Sequence, residues 1–115
     1  MKYEIEHDEG VTILSIKNAK LDSSIAPQFK SRIIILANAG EKDNLIVDLA
    51  KVEHADSSGI SGLLMAHRLY RDSQRRMVIC NVSKRVMDLI KITRLDEVMT
   101  FAPDRESALH QLMPS

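Results

Sequence analysis

The chain has 115 residues, of which 44% are apolar and 28% charged. That suffices for one domain with a real core, spanning residues 1–115, and excludes a disordered chain or one comfortably divided in two. Sixteen Lys and Arg balance sixteen Asp and Glu, so no overall field recruits nucleic acid or an anionic membrane, and recognition must rest on local shape and charge.

Tyr3 and Ile5 alternate with polar residues, Glu9-Gly10 is a turn signal, and Val11, Ile13 and Ile16 follow, which predicts an opening β-hairpin. The N-terminal Met1 to Asp8 lacks the continuous apolar run of a signal peptide or membrane anchor. Nothing there is expected to direct export or membrane insertion. Asp22-Ser23-Ser24 offers N-cap oxygens and Pro27 suits a first helical turn, so a helix is predicted to about Asn38, with Phe29, Ile33 and Leu36 facing inward.

Gly40 to Asp43 breaks that helix, and Leu45 to Leu49 is an apolar run of the kind buried on both faces of a sheet. A second helix is predicted from Ser57 to about Asp72, since Ile60, Leu63, Leu64, His67 and Tyr70 recur three and four residues apart. Met77 to Cys80 reads as another buried strand, with Cys80 a structural thiol in a reducing, cytoplasmic setting. Ser83 is positioned to cap a third helix burying Val86, Leu89 and Ile90; Val98 to Phe101 predicts a strand, and Asp104 a last helix with Ala108, Leu109 and Leu112 inward.

Hairpin, then helix and strand in alternation, implies an α/β domain with a mixed, mostly parallel sheet, an N-terminal β-hairpin and about four helices. No repeat, linker or low-complexity stretch interrupts it.

The run Asp56-Ser57-Ser58-Gly59-Ile60-Ser61-Gly62 follows the central strand and opens the second helix. Partners of such sheets meet the crevice beyond the carboxyl ends of the strands, which places these serines at a functional edge. Gly59 and Gly62 let the first helical turn approach its neighbours closely. A phosphate on a hydroxyl there would face free N–H groups and the positive end of the helix dipole. Helix capping by Asp56, Ser57 and Ser58 accounts for the same residues, and spacing alone favours it.

This run after a buried strand resembles the STAS domain of anti-sigma-factor antagonists, and the likeness extends along nearly the whole chain. Lys20-Leu21-Asp22 is similar to the family's acidic position before its first helix, and Asn81-Val82-Ser83 through Thr93-Arg94-Leu95-Asp96 to its third helix and following turn. Arg94 stands where the family often has glycine and His54 where it often has an apolar residue. The resemblance implies a non-enzymatic regulator of sigma-factor-dependent transcription. Unphosphorylated, it would bind an anti-sigma-factor serine kinase; phosphorylation of Ser57 would weaken that complex, and a serine phosphatase would reverse it. Asp22, Ser23, Asp56, Ser57, Ser58 and Ser61 would form the partner surface. An adaptor subunit that never uses the phosphoacceptor, in a signalling or lipid-transport assembly, is the alternative.

Other chemistry has little support. His54 and Ser57 invite a nucleophile-and-base reading, but no Gly-x-Ser-x-Gly elbow or third orienting residue accompanies them. His7, His54, His67 and His110 are scattered, so no metal is expected, and no glycine-rich phosphate loop suggests a nucleotide cofactor. Arg68, Arg71, Arg75 and Arg76 read as a solvated helix face, and the methionines as packing residues.

Overall fold

The computed structural model describes residues 1–39 and 42–113. Strand β1 (Tyr3–Asp8) pairs antiparallel with β2 (Val11–Ile16), closing on the pair Asp8 and Val11. Glu9 and Gly10 between them have φ of 43° and 83°, the backbone a two-residue hairpin turn needs to match strand twist. The chain continues through β3 (Lys20–Leu21), α1 (Ala26–Ala39), β4 (Asn44–Asp48), β5 (His54–Ala55) and α2 (Ser57–Asp72). Then come β6 (Met77–Cys80), α3 (Lys84–Ile92), a 3-10 turn (Leu95–Glu97), β7 (Thr100–Ala102) and α4 (Arg105–Leu112). The main sheet runs β1-β2-β4-β6-β7, parallel after the hairpin, as the alternation of elements predicts.

Period-two alternation sorts the strand residues between two cores. Leu14, Ile16, Leu45, Val47, Leu49, Met77 and Ile79 face α1, α2 and α3, where Phe29, Ile33, Leu63, Tyr70 and Ile90 complete the larger cluster. Val11, Ile13, Ile46, Val78 and Cys80 face the other way and are covered by Ala108 and Leu112 of α4. Burial pushes the Cys80 thiol up to about 12, reinforced by the Asp48 carboxylate, so it packs as an apolar group.

Several boundaries differ from expectation. Helix α1 begins at Ala26, and Asp22 to Ser24 form a turn before it: the Asp22 carbonyl accepts from the amides of Ile25 (3.1 Å) and Ala26 (2.9 Å). Its inner face is Ala26, Phe29, Ile33 and Ala37, with Leu36 only partly covered; Leu64 and His67 of α2 and Leu89 of α3 are likewise half-buried, because the sheet reaches only a narrow stripe of each helix. Of the break expected at Gly40 to Asp43, Gly40 and Glu41 lie outside the described residues. The last strand starts at Thr100 instead of Val98, since the amides of Val98 and Met99 both donate to Leu95 O and close the 3-10 turn. Arg94 precedes that turn at φ 60°, a left-handed backbone that favours glycine.

Candidate functional site

Beyond β4 the chain turns at once: the Ala50 amide donates to Asp48 Oδ1 (3.0 Å) and that of Val52 to Leu49 O (3.0 Å), with Val52 buried as an anchor. The next residues are tied to the segment before α1. Glu53 and His54 both donate to Ala19 O, and β5 lies parallel to β3, Lys20 opposite His54 and Leu21 opposite Ala55. Two-residue strands carry no readable periodicity, so this small second sheet was not foreseen. It holds two loops distant in sequence side by side.

Asp56 occupies that junction with extended backbone (φ −118°), as the N-cap of α2. One carboxylate oxygen accepts from the Gly59 amide (3.0 Å), satisfying a free N–H of the first turn; the other accepts from the Ser23 amide (3.1 Å). A single side chain thus caps the helix and fastens the opposite loop. Asp22 lies in that loop and accepts from both the amide (3.0 Å) and the hydroxyl (2.5 Å) of Ser24. The Ser24 hydroxyl bond holds the Asp22 carboxyl below its ordinary value, so it is an anion at neutral pH.

Gly59 explains how close the helix comes. A Cβ there would stand 2.0 Å from the carbonyl oxygen of Leu21, and one on Gly62 would stand 2.8 Å from the Phe29 ring. Both glycines are therefore required for α2 to rest on β3 and α1.

Because Asp56 does the capping, the serines are released from it. Ser57 is exposed in the first turn, Ser58 is half-buried, and Ser61 is exposed one turn on. Among the described residues no side-chain hydrogen bond engages the hydroxyls of Ser57, Ser58 or Ser61, and none joins His54 to Ser57. All of Asp22, Ser23, Asp56, Ser57 and Ser58 meet at this one junction, with Ser61 continuing along the helix. What results is an exposed hydroxyl at a capped helix start, next in sequence to Asp56 and beside the loop that carries Asp22.

The family described as the STAS domain matches residues 2–108. The chain belongs to the STAS domain family. Among similar proteins, the anti-sigma F factor antagonist of Paenibacillus polymyxa is 22% identical over 112 residues, covering 97% of this chain and 95% of that one. An anti-sigma-factor antagonist (STAS) domain protein from Planctomyces limnophilus superposes with a TM-score of 0.87 at 22% identity, covering 96% and 97% of the two chains. A serine-to-glutamate variant of RsbS from Moorella thermoacetica gives 0.82 at 20% identity, covering 97% and 95%.

On the reverse side of this STAS domain lies a cluster that sequence reading missed. Asp48, only 6% exposed, receives Asn81 Nδ2 (3.0 Å) and the Arg105 guanidinium (3.0 Å). Arg105 also reaches Ser15 Oγ (2.9 Å) and the Glu6 carboxylate. Burial works against the Asp48 charge, but the bonds from Asn81, Ala50 and Arg105 outweigh it and keep its carboxyl below the ordinary value. An acidic residue inside the run Val47-Asp48-Leu49 was the available signal, since a carboxylate on a buried strand needs a partner. That partner comes 57 residues later and was not identifiable from spacing.

The arginines read as one solvated face have separate fates. Arg75 stacks on the Tyr70 ring (4.5 Å) and donates to Ala37 O (2.9 Å) at the end of α1, and Arg76 donates to Gln111 O (2.8 Å). Arg71 pairs with Asp72 (3.2 Å), while Arg68 projects from the exposed side of α2. No helix is long and apolar enough to cross a membrane among the described residues.

Proposed function

We propose that this STAS domain is an anti-sigma-factor antagonist of the cytoplasm that acts by binding an anti-sigma-factor serine kinase, and that phosphorylation of Ser57 by that kinase switches the binding off. The observation that carries the reading is the state of Ser57: exposed, free of the capping role that Asp56 has taken, and set on a helix start that its neighbours hold rigid. The curated Paenibacillus relative, named as an anti-sigma F factor antagonist, supports the first half of the reading.

A rigid, uncommitted hydroxyl suits phosphoryl transfer because the acceptor need not break a bond to the protein before attacking. The product would add roughly −1.5 to −2 charges beside Asp56 and close to the anionic Asp22 loop. The N–H groups of the first turn would tolerate that charge, so the fold survives it. A partner surface fitted to a neutral serine would meet a concentrated anion and a desolvation cost, and would leave. Asp22, Ser23, Asp56, Ser58 and Ser61 would then form the surrounding contact surface, and a serine phosphatase would restore the binding form.

The test is to incubate the chain with ATP and each serine kinase of the GHKL type from its own source, and to locate added phosphate by intact-mass and peptide mass spectrometry. Phosphate on Ser57, absent in Ser57→Ala, is the expected result. No transfer by kinases shown to be active on another substrate overturns the switch and leaves an adaptor that never uses the serine. Ser57→Asp should unfold within about 0.5 kcal/mol of wild type while binding the kinase more weakly; undiminished binding would contradict the proposed repulsion.

A further inference from the structure

Beyond exposed Ser57 and Ser61 the same side of α2 continues through half-buried Leu64 to exposed Arg68, at steps of four, three and four residues. This side opens into a groove of about 380 Å³ between α1 and α2, lined by Ser61, Leu64, Met65, Arg68, Leu69 and Asp72 of α2 with Lys30 from α1. The helices approach closely at Gly62, where a Cβ would stand 3.8 Å from Lys30 Cγ, so the lysine stem lies against α2 at the edge of the groove it helps to line. Among the described residues neither Lys30 nor Arg68 has an ion-pair partner, whereas the one carboxylate in the lining, that of Asp72, is paired with Arg71 (3.2 Å). The floor is apolar and the two uncompensated charges are positive.

We infer that this groove is the second half of the kinase-binding footprint, taking an apolar side chain of the kinase on Leu64 and Met65 and an adjacent carboxylate between Lys30 and Arg68. The inference rests on the reading of Ser57 given above and deepens it. Continuity of the helix side from Ser57 argues that one partner covers both parts, and the charge argues that what it brings is acidic. At 1.5 Å rise per residue, the 11 residues from Ser57 to Arg68 span about 16 Å, well beyond the ~8 Å Debye length of physiological salt. The groove cations therefore do not neutralise a phosphate on Ser57. Phosphorylation removes the tip of the footprint and leaves the groove, and the two contributions combine independently.

The experiment uses the full chain and the kinase that transfers phosphate to it. The pair Lys30→Glu with Arg68→Glu should weaken binding by about tenfold or more at low ionic strength and progressively less as salt is raised. It should raise KM for phosphorylation of Ser57 with kcat nearly unchanged, as loss of docking away from the reacting atoms does. Combined with Ser57→Asp, the fold-losses should multiply. Arg85→Glu, an exposed cation on α3, is the control for net charge and should change binding less than twofold. Leu64→Ala tests the apolar floor without altering charge and should weaken binding severalfold. Phosphorylation of Ser57 at unchanged KM and affinity in the double reversal overturns the groove and leaves the Ser57 reading standing. Absence of both binding and phosphate transfer with wild type overturns that reading and the groove with it.

Discussion

The two faces of the sheet are held by different physics. One carries three helices over a continuous apolar core, and its closest approaches are made by glycine: Gly59 against the Leu21 carbonyl and Gly62 against Phe29. The other carries only α4, eight residues long, which covers a small apolar cluster and is anchored to the sheet by Arg105 bonded to Asp48, Ser15 and Glu6. On the first face three helices share one continuous core and burial orders them; on the second a single helix covers a small cluster, and a directional charge contact helps to set its position. The candidate site stands on the first face, so its rigidity comes from packing that tolerates almost no added atoms.

The largest expected effect comes from breaking the close approach. Gly59→Ala puts a methyl carbon 2.0 Å from a backbone carbonyl that no rotamer change can relieve. A loss at or above the upper end of the usual ~1–3 kcal/mol for overpacking is expected in urea unfolding. Wild-type stability in that variant would show that β3 is free to yield.

On the α4 face, Arg105→Met leaves the Asp48 carboxylate buried without a counter-charge, held only by Asn81 and the Ala50 amide, and should cost about 2–3 kcal/mol, moderated because a third of the arginine side chain meets water. The pair Asp48→Val with Arg105→Met should recover most of it, since apolar replacement removes the unpaired charge. The pH dependence sharpens the assignment. Asp48 has a lowered pKa in the folded state, so the unfolded chain binds its proton first on acidification. Its contribution is complete above the unfolded value of roughly 4 and is lost as pH falls through the folded one. Stability measured from pH 5 downward should fall in wild type and fall less in Arg105→Met.

A smaller loss, about 1–2 kcal/mol, is expected for Asp56→Ala, which removes the α2 cap and frees the Ser23 amide. Hydrogen exchange should rise at both loops together if one carboxylate joins them. The smallest effect has the opposite sign: Arg94→Gly relieves a left-handed backbone at φ 60° and should gain up to about 1 kcal/mol, offset in part by the greater freedom of glycine in the unfolded chain.

Most of the architecture was legible because each main element repeats a pattern. Leu45 to Val47 and Met77 to Ile79 are apolar runs too short for helices, and Ile60, Leu63 and Tyr70 keep helical spacing over about three turns. Boundaries at Ala26 and Thr100 moved by a residue or two because turns beside them competed for the same amides. At the site, the sequence supplied Asp22, Ser23, Asp56, Ser57, Ser58 and Ser61 as candidates, and local chemistry marked Asp56 as a cap.

Which groups those residues touch was another matter. The pairing of β3 with β5, the Ser23 amide on Asp56, the partner of Asp48 and the split among four arginines all join positions separated by tens of residues. Sequence by itself determined the order and type of the main elements, because helix and strand periodicity and capping are local, governed by residues within a few positions of one another. Only the tertiary structure decided which hydroxyl stays uncommitted and which charges stay unpaired, because those depend on what the fold brings within about 3 Å of each polar atom.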